Sequence, residues 1–251
     1  MSDKKVLLVG ESWETFSVHI KGFDTFYTSK YEEGADWIIE ALKKANYKVD
    51  FIPNHRASSE FPTSEKEINK YSTVILSDIG ANTLLLHPDT FEKSKPTTNR
   101  LKLIKRFVEK GGGFLMIGGY LSFQGIEGKA KYKNTAIEEI LPIKMKNIDD
   151  RIEVPEGMHP IVNIEHSITE GLNKKWPMFL GYNKFNADSD SEILVKYKED
   201  PFLVIGEYKK GRTAAFASDC APHWGSKDFV EWDQYNKLWE QLVNWLSKEN
   251  K

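Results

Sequence analysis

The sequence predicts an α/β protein with a doubly wound, mainly parallel sheet and antiparallel additions in its C-terminal half. Three observations carry this. Four continuous apolar runs in the first 120 residues alternate with segments of helical period. Each run ends in glycine, proline or an acidic residue within two positions. From Pro177 onward the pattern changes to closely spaced strand-like runs, two of them joined by Lys209-Lys-Gly-Arg212, a hairpin signal.

The elements follow in order. Lys5-Val-Leu-Leu-Val9 is the first strand, apolar throughout and so covered on both faces. Glu11 to Lys30 reads as a long loop. Tyr31 to Ala45 carries Ala35, Ile38, Ile39 and Leu42 at helical spacing. Lys48-Val-Asp-Phe-Ile52 is the second strand, closed by Pro53. Ser64 to Lys70 is a short helix opened by the capping box Ser64-x-x-Glu67. Thr73-Val-Ile-Leu-Ser77 is the third strand. Asn99 to Lys110 is a helix with Leu103, Ile104, Phe107 and Val108 on one side, stopped by Gly111-Gly-Gly113. Phe114-Leu-Met-Ile117 is the fourth strand and ends in Gly118-Gly119.

Residues 120–175 read as loop-rich, with a short helix near Asn134 to Leu141. Strands are expected at Phe179 to Phe185, Glu192 to Tyr197, Leu203 to Tyr208 and Thr213 to Ser218. A last helix is expected over Lys227 to Leu246. No linker or repeat divides the chain, so residues 1–251 are expected to form a single domain.

Composition bounds the function. Lys and Arg number 35 against 37 Asp and Glu, a net charge of −2, which gives no basic field to hold a phosphate backbone. Nucleic acid is therefore not an expected partner. A single cysteine rules out an internal disulfide and a multi-thiolate zinc site. The apolar run Val6 to Val9 is too short for a signal peptide, and no run approaches a membrane span. A cytoplasmic protein without membrane contact is expected.

Ligands of open parallel sheets sit outside the carboxyl ends of the strands. Those ends deliver Glu11 and Trp13, with His19 on the long loop behind them, then His55 and Arg56, then Asp78. Gly119 and Tyr120 follow the fourth strand. Asp219, Cys220, His223 and Trp224 follow the last. Cys220, His223, Asp219 and Asp78 are the candidate catalytic groups. His223 is the natural acid–base, its ordinary pKa lying near neutrality. A thiolate at Cys220 needs a base or cation beside it, which His223 could supply and which Asp219 would oppose. Glu11, Trp13, His19, His55, Arg56, Gly119, Tyr120 and Trp224 are the candidate ligand-binding residues. Glu11 could instead pair with Arg56. His87, His159 and His166 read as structural. HExxH, CxxC, Walker and GxSxG patterns are absent, and no metal or cofactor is implied.

Longer motifs identify a family. Val6-Leu-Leu-Val-Gly-Glu-Ser-Trp13, His19-x-Lys-Gly-Phe-Asp24, Tyr31-Glu-Glu-Gly34, the stretch from Gly112 to Ile126, and Ser218-Asp-Cys-Ala-Pro-His-Trp224 resemble a group of bacterial glutamine amidotransferase-like proteins. The similarity runs nearly end to end. It implies the class I glutamine amidotransferase-like superfamily, a flavodoxin-like fold, and kinship with trehalose-utilisation-type domains. It does not imply glutamine hydrolysis. That superfamily places a nucleophilic cysteine at a strand-to-helix elbow, here Gly118-Gly119-Tyr120, and a glutamate two residues after the late histidine, here Gly225. The expectation is a protein acting on a small polar metabolite without glutaminase activity. The alternative is a non-catalytic, carbohydrate-like binding module walled by Trp13, Tyr120 and Trp224. The aromatics of the long loop would either cover the carboxyl edge, bringing Glu11 and His19 to Asp78 and His223, or be buried in a homo-oligomer.

Overall fold

A computed structural model describes residues 4–248. Strand β1 (Lys5–Gly10) lies inside the sheet, buried along nearly its whole length. Residues expected to form a loop instead make a long hairpin, β2 (Ser12–Lys21) and β3 (Asp24–Glu33), with ten residues paired on each side. Gly22, at φ +64°, opens its two-residue turn, the position where a hairpin turn of this kind favours glycine. The hairpin takes Tyr31 from the predicted helix, so α1 (Asp36–Lys44) starts later than its apolar spacing suggests.

β4 (Lys48–Ile52) is followed by α2 (Asn54–Glu60), a helix where sequence reasoning left a loop, and then by α3 (Glu65–Ile68). The capping box of α3 is formed as predicted: Glu67 donates its amide to Ser64 Oγ and accepts from the Ser64 amide. β5 (Thr73–Ser77), α4 (Ala81–Leu85), α5 (Pro88–Lys93), α6 (Arg100–Glu109) and β6 (Gly113–Ile117) complete the first half.

The middle is more regular than expected. α7 (Ala136–Ile140) and β7 (Ile143–Lys144) precede β8 (Arg151–Met158), a strand that the sequence reading missed. Then come β9 (Ile161–Val162), β10 (Phe179–Asn183), β11 (Asn186–Ala187), β12 (Glu192–Tyr197), β13 (Asp200–Tyr208) and β14 (Gly211–Phe216). The terminal helix is broken into α8 (Lys227–Val230) and α9 (Tyr235–Leu246). Its apolar periodicity runs across the break, which is why a single helix was expected.

The central sheet has eight strands in the order β4-β1-β5-β6-β14-β13-β12-β9. The first five are parallel, and β13, β12 and β9 extend the sheet in antiparallel fashion. The parallel order is that of the flavodoxin-like fold. α1 and α9 pack together, while α2, α3, α4, α6 and α7 form a second connected layer. The apolar runs predicted as strands are the buried centre: Val6 to Val9, Val74 to Leu76 and Phe114 to Ile117 are almost wholly inaccessible. The chain leaves β1 for β4 and returns to β5 on the other side. The carboxyl ends of β1 and β5 therefore flank the topological switch point, where open α/β sheets form their crevices.

Candidate functional site

Close packing at the switch point is set by Gly10. Its φ is +107°, and a Cβ there would stand 1.8 Å from the Ser77 carbonyl oxygen, so no side chain fits. β1 and β5 thus end side by side, and the next residue of each, Glu11 and Asp78, turns off the strand with positive φ. The Glu11 amide donates to the Ser77 carbonyl at 2.8 Å. The third carboxylate, Asp219, follows β14 and is buried. Asp219 raises the pKa of both others, and Asp78 that of Glu11.

Burial comes first among the causes for all three. It drives Glu11 well above the usual carboxylate range, with Asp219 and Asp78 adding to the shift. Asp78 is pushed up to about 7 by desolvation and then by the charge of Asp219, against the Leu121 amide that donates to its Oδ1 at 2.5 Å. Asp219 is also raised, with a hydrogen bond from His223 acting in the opposite direction.

His223 Nδ1 lies 2.9 Å from Asp219 Oδ2. That bond is the main reason the imidazole pKa is raised. The His223 side chain is 48% exposed, and among the described residues its Nε2 has no hydrogen-bond partner. The arrangement holds one ring nitrogen fixed and leaves the other toward solvent. The Tyr120 ring meets His223 edge-on at 4.6 Å and carries the Arg151 guanidinium over its face at 4.8 Å.

The turn after β6 is held by side chains that sequence reasoning did not single out. The Gly119 amide donates to Asn183 Oδ1 at 2.9 Å, and Asn183 Nδ2 donates to Gly119 O and to Asp150 Oδ1. Asp150 in turn accepts the amides of Gln124 and Gly125. Gly119 itself has φ +139°, and a Cβ would sit 2.7 Å from Asp78 Oδ1. Arg151 and Glu153 alternate on β8, and that period-two pattern was the available signal for both.

Cys220 is not brought into the cleft. It is fully buried, its Sγ lying 3.6 Å from Glu11 Oε2 and 3.7 Å from Ser77 Oγ; His223 bonds Asp219 instead. Burial, then Glu11 and then Asp219 push its thiol well above the ordinary value. It is a protonated thiol beneath the carboxylates. Trp224 is buried too, donating its indole N–H to Glu153 at 2.9 Å, so it backs the site and does not wall it.

The other candidates lie apart. His19 is out on the exposed hairpin, bonded to Thr28 Oγ1 and stacked on Phe26, which corrects the expectation that it shares a cleft with His223. Arg56 pairs with Glu60 on α2 and not with Glu11. Trp13 and His55 meet at the hairpin root in a shallow hollow of about 250 Å³ that Tyr31 and Asn54 also line. Asn54 ties this root to the switch point, donating to the carbonyls of Ser12 and Asp78. His87 caps α5 and His159 lies against the Trp176 carbonyl. A cavity of about 720 Å³ lies beside β9 around His166, away from Glu11, Asp78 and Asp219. Among the described residues, no group of three or more His, Cys, Asp or Glu is arranged to hold a metal ion. No helix among them is long and apolar enough to cross a membrane.

The sheet order and the crevice at its switch point are those of a class I glutamine amidotransferase-like α/β protein, with glycine where that class carries its elbow cysteine. The chain belongs to the family described as "Putative glutamine amidotransferase", whose model matches residues 5–248. Two cytoplasmic proteins of Salmonella typhimurium are similar in sequence and structure. One is 47% identical with a TM-score of 0.93, over 96% of this chain and 98% of its own. The other is 45% identical with a TM-score of 0.93, over 96% and 99%. A ThuA-like protein of Parabacteroides merdae shares the fold at 11% identity and a TM-score of 0.58, over 98% of this chain and 91% of its own. No curated protein matches the chain.

Proposed function

We propose that this protein acts by proton transfer on a small polar metabolite bound at the carboxyl edge of the parallel sheet, and that it does not hydrolyse glutamine. The observation that carries the reading is the Asp219–His223 pair, with Nδ1 held at 2.9 Å and Nε2 unpartnered. A carboxylate that fixes one imidazole nitrogen leaves the other to take or give a proton, the usual arrangement of a general acid–base. Asp78 stands nearby with a pKa of about 7, so a second group changes protonation in the same range. Asp219 is the positioning residue, and Glu11 holds the floor of the site with Ser77 and Cys220.

The absence of glutaminase activity rests on two residues. The elbow position after β6 is Gly119, which offers no nucleophile, and the chain's one thiol is buried and protonated. A carbohydrate-like binding module has less support. Trp224 is buried and the Tyr120 face is already covered by Arg151, so the aromatic wall that reading needs is not free. A cytoplasmic location is part of the proposal, supported by the likeness to the two cytoplasmic proteins of Salmonella typhimurium.

The test has two arms. Purified protein is assayed for ammonia release from glutamine, and its melting temperature is followed against a panel of hydroxy acids, amino acids and monosaccharides. The expected result is no ammonia, together with a compound that stabilises the wild type and is turned over by it but not by His223→Gln. Ammonia release abolished by Cys220→Ala would overturn the glutaminase statement. Turnover undiminished in His223→Gln would overturn the acid–base assignment.

A further inference from the structure

The hairpin β2–β3 is amphipathic in the wrong sense for a lone chain. Paired residues of an antiparallel ladder share a face, and faces alternate along each strand. One face therefore carries Thr15, Ser17, His19, Thr28, Lys30 and Glu32, with Trp13 and Phe26 among them and Lys30 and Glu32 ion-paired at 2.7 Å. The other carries Phe16, Val18, Ile20, Tyr27 and Tyr31, with Glu14 and Glu33 confined to its root, and Phe23 stands at the tip. Phe16 is 68% exposed, Ile20 72%, Tyr27 62% and Phe23 fully so. From the body of the chain, α2 packs against β2, and Asn54 bonds Ser12 at the root. At the ordinary rise of a strand, ten residues extend roughly 30 Å. A free two-stranded ribbon of that kind is only marginally stable in water.

We propose that this arm is a dimerisation element, and that its occupant is the same arm of a second copy of this chain, packed apolar face to apolar face about a two-fold axis. Three points favour a second copy. The six exposed apolar side chains of that face and tip present on the order of 800 Å², which is the area each partner contributes to a standard stable interface. Between Phe16 and Ser29 the face carries no charge, since Phe16, Val18, Ile20, Thr25, Tyr27 and Ser29 are all neutral. A flat uncharged strip is its own complement, as an isologous contact requires. Trp13 and Phe26 are exposed on the opposite face of the hairpin, one at each end of it, and Trp37, Leu86, Phe91, Leu121, Ile148 and Ile161 lie on separate elements or loops; none of these forms a matching ribbon.

The arm is rooted in the site. Ser12 follows Glu11 directly, and the Gly34 amide donates to the Glu11 carbonyl at 2.9 Å. Dimerisation therefore fixes both chain segments that leave the floor of the cleft.

The test is sedimentation velocity on the full chain at micromolar concentration. The wild type is expected to sediment as a dimer. Phe16→Lys combined with Ile20→Lys sets like charges against each other across the axis and is expected to weaken the dimer at least tenfold, with the melting temperature of the body unchanged. Thr15→Lys combined with Thr28→Lys, on the opposite face, is expected to leave the dimer intact. Val18→Cys is expected to cross-link into a covalent dimer under diamide, while Ser17→Cys is not. A monomeric wild type, a dimer that survives the Phe16/Ile20 double variant, or equal cross-linking at positions 17 and 18 overturns the proposal.

Discussion

His223 Nδ1 stands 2.9 Å from Asp219 Oδ2, four positions back in the loop after β14, and this contact is the largest cause of the raised imidazole pKa. The same loop brings Asp219 beside two further carboxyls, Asp78 and Glu11, whose pKa values burial and then the Asp219 charge raise above the usual range. Asp78 therefore keeps its proton up to about pH 7 in the folded chain, where an unfolded chain has lost it.

The His223 titration follows from that contact. The Asp219 hydrogen bond raises the imidazole pKa above its ordinary 6.5. The pair's contribution to stability is thus fully present below pH 6.5 and is lost as pH rises through the higher folded value. Proton NMR of the His223 ring should give a midpoint above 6.5, and Asp219→Asn should move it down. An unchanged midpoint in that variant would show that the contact does not govern the titration.

Asp78 moves stability in the same direction with pH, over a lower window. Its carboxyl gives up a proton near 3.8 in the unfolded chain and near 7 in the folded one. Between those values the folded state holds the extra proton, so stability falls as pH rises through the window. Asp78→Asn keeps an acceptor for the Leu121 amide and cannot ionise. Its melting temperature should nearly equal that of the wild type at pH 4 and exceed it by on the order of ten degrees at pH 8, since about three pKa units correspond to about 4 kcal/mol and each kcal/mol to roughly 2–4 °C in a chain this size. A constant difference at both pH values would contradict the assignment.

The residues of the edge were legible because they follow from two short-range signals. Continuous apolar runs mark the parallel strands, and whatever follows such a run stands on the carboxyl edge. Glu11, Asp78, Tyr120, Asp219 and His223 were found in that way. The arm was not, because Trp13, Phe16, Phe23 and Tyr27 read equally as anchors of a packed loop, and its alternation buries neither face within one chain. β8 was missed because Pro155 and Gly157 interrupt it. Asn183 and Asp150 act through hydrogen bonds to amides distant in sequence, such as that of Gly119, and nothing local in the sequence marks that role. Cys220 was placed in the right loop, but its depth depends on how Glu11 and Ser77 pack around it.

Arg100 should prove a stability determinant remote from the site. It is buried, and its guanidinium donates to the carbonyls of Leu84, Ala57 and Ser58, toward the C-terminal ends of α4 and α2. Cations are favoured at such ends. Arg100→Ala would take this donor from three carbonyls, of which Ala57 keeps the Phe61 amide, and leave a cavity beside them, at a cost of about 3 kcal/mol. Arg100→Lys keeps the charge but not the fork, and should cost about half as much. Urea unfolding of both variants measures the difference, and a shift below about 1 kcal/mol for Arg100→Ala would refute the role.

Cys220 should be chemically silent in the folded protein. A thiol reacts as its thiolate, so reactivity requires both access and a lowered pKa. Cys220 has neither: it is fully buried, and desolvation together with the Glu11 and Asp219 carboxyls holds its pKa well above the ordinary thiol value. The one histidine in its loop that could ionise it is bound to Asp219. With a disulfide reagent at pH 7.5, the native protein should release no thiol on the timescale of minutes, and the protein in guanidinium should release one per chain. Cys220→Ser should leave both the His223 titration and the response to small ligands unchanged, since the sulfur supports the floor of the cleft and does not face it. Rapid stoichiometric labelling of the native protein would place the thiol at the surface and reopen its role as a nucleophile.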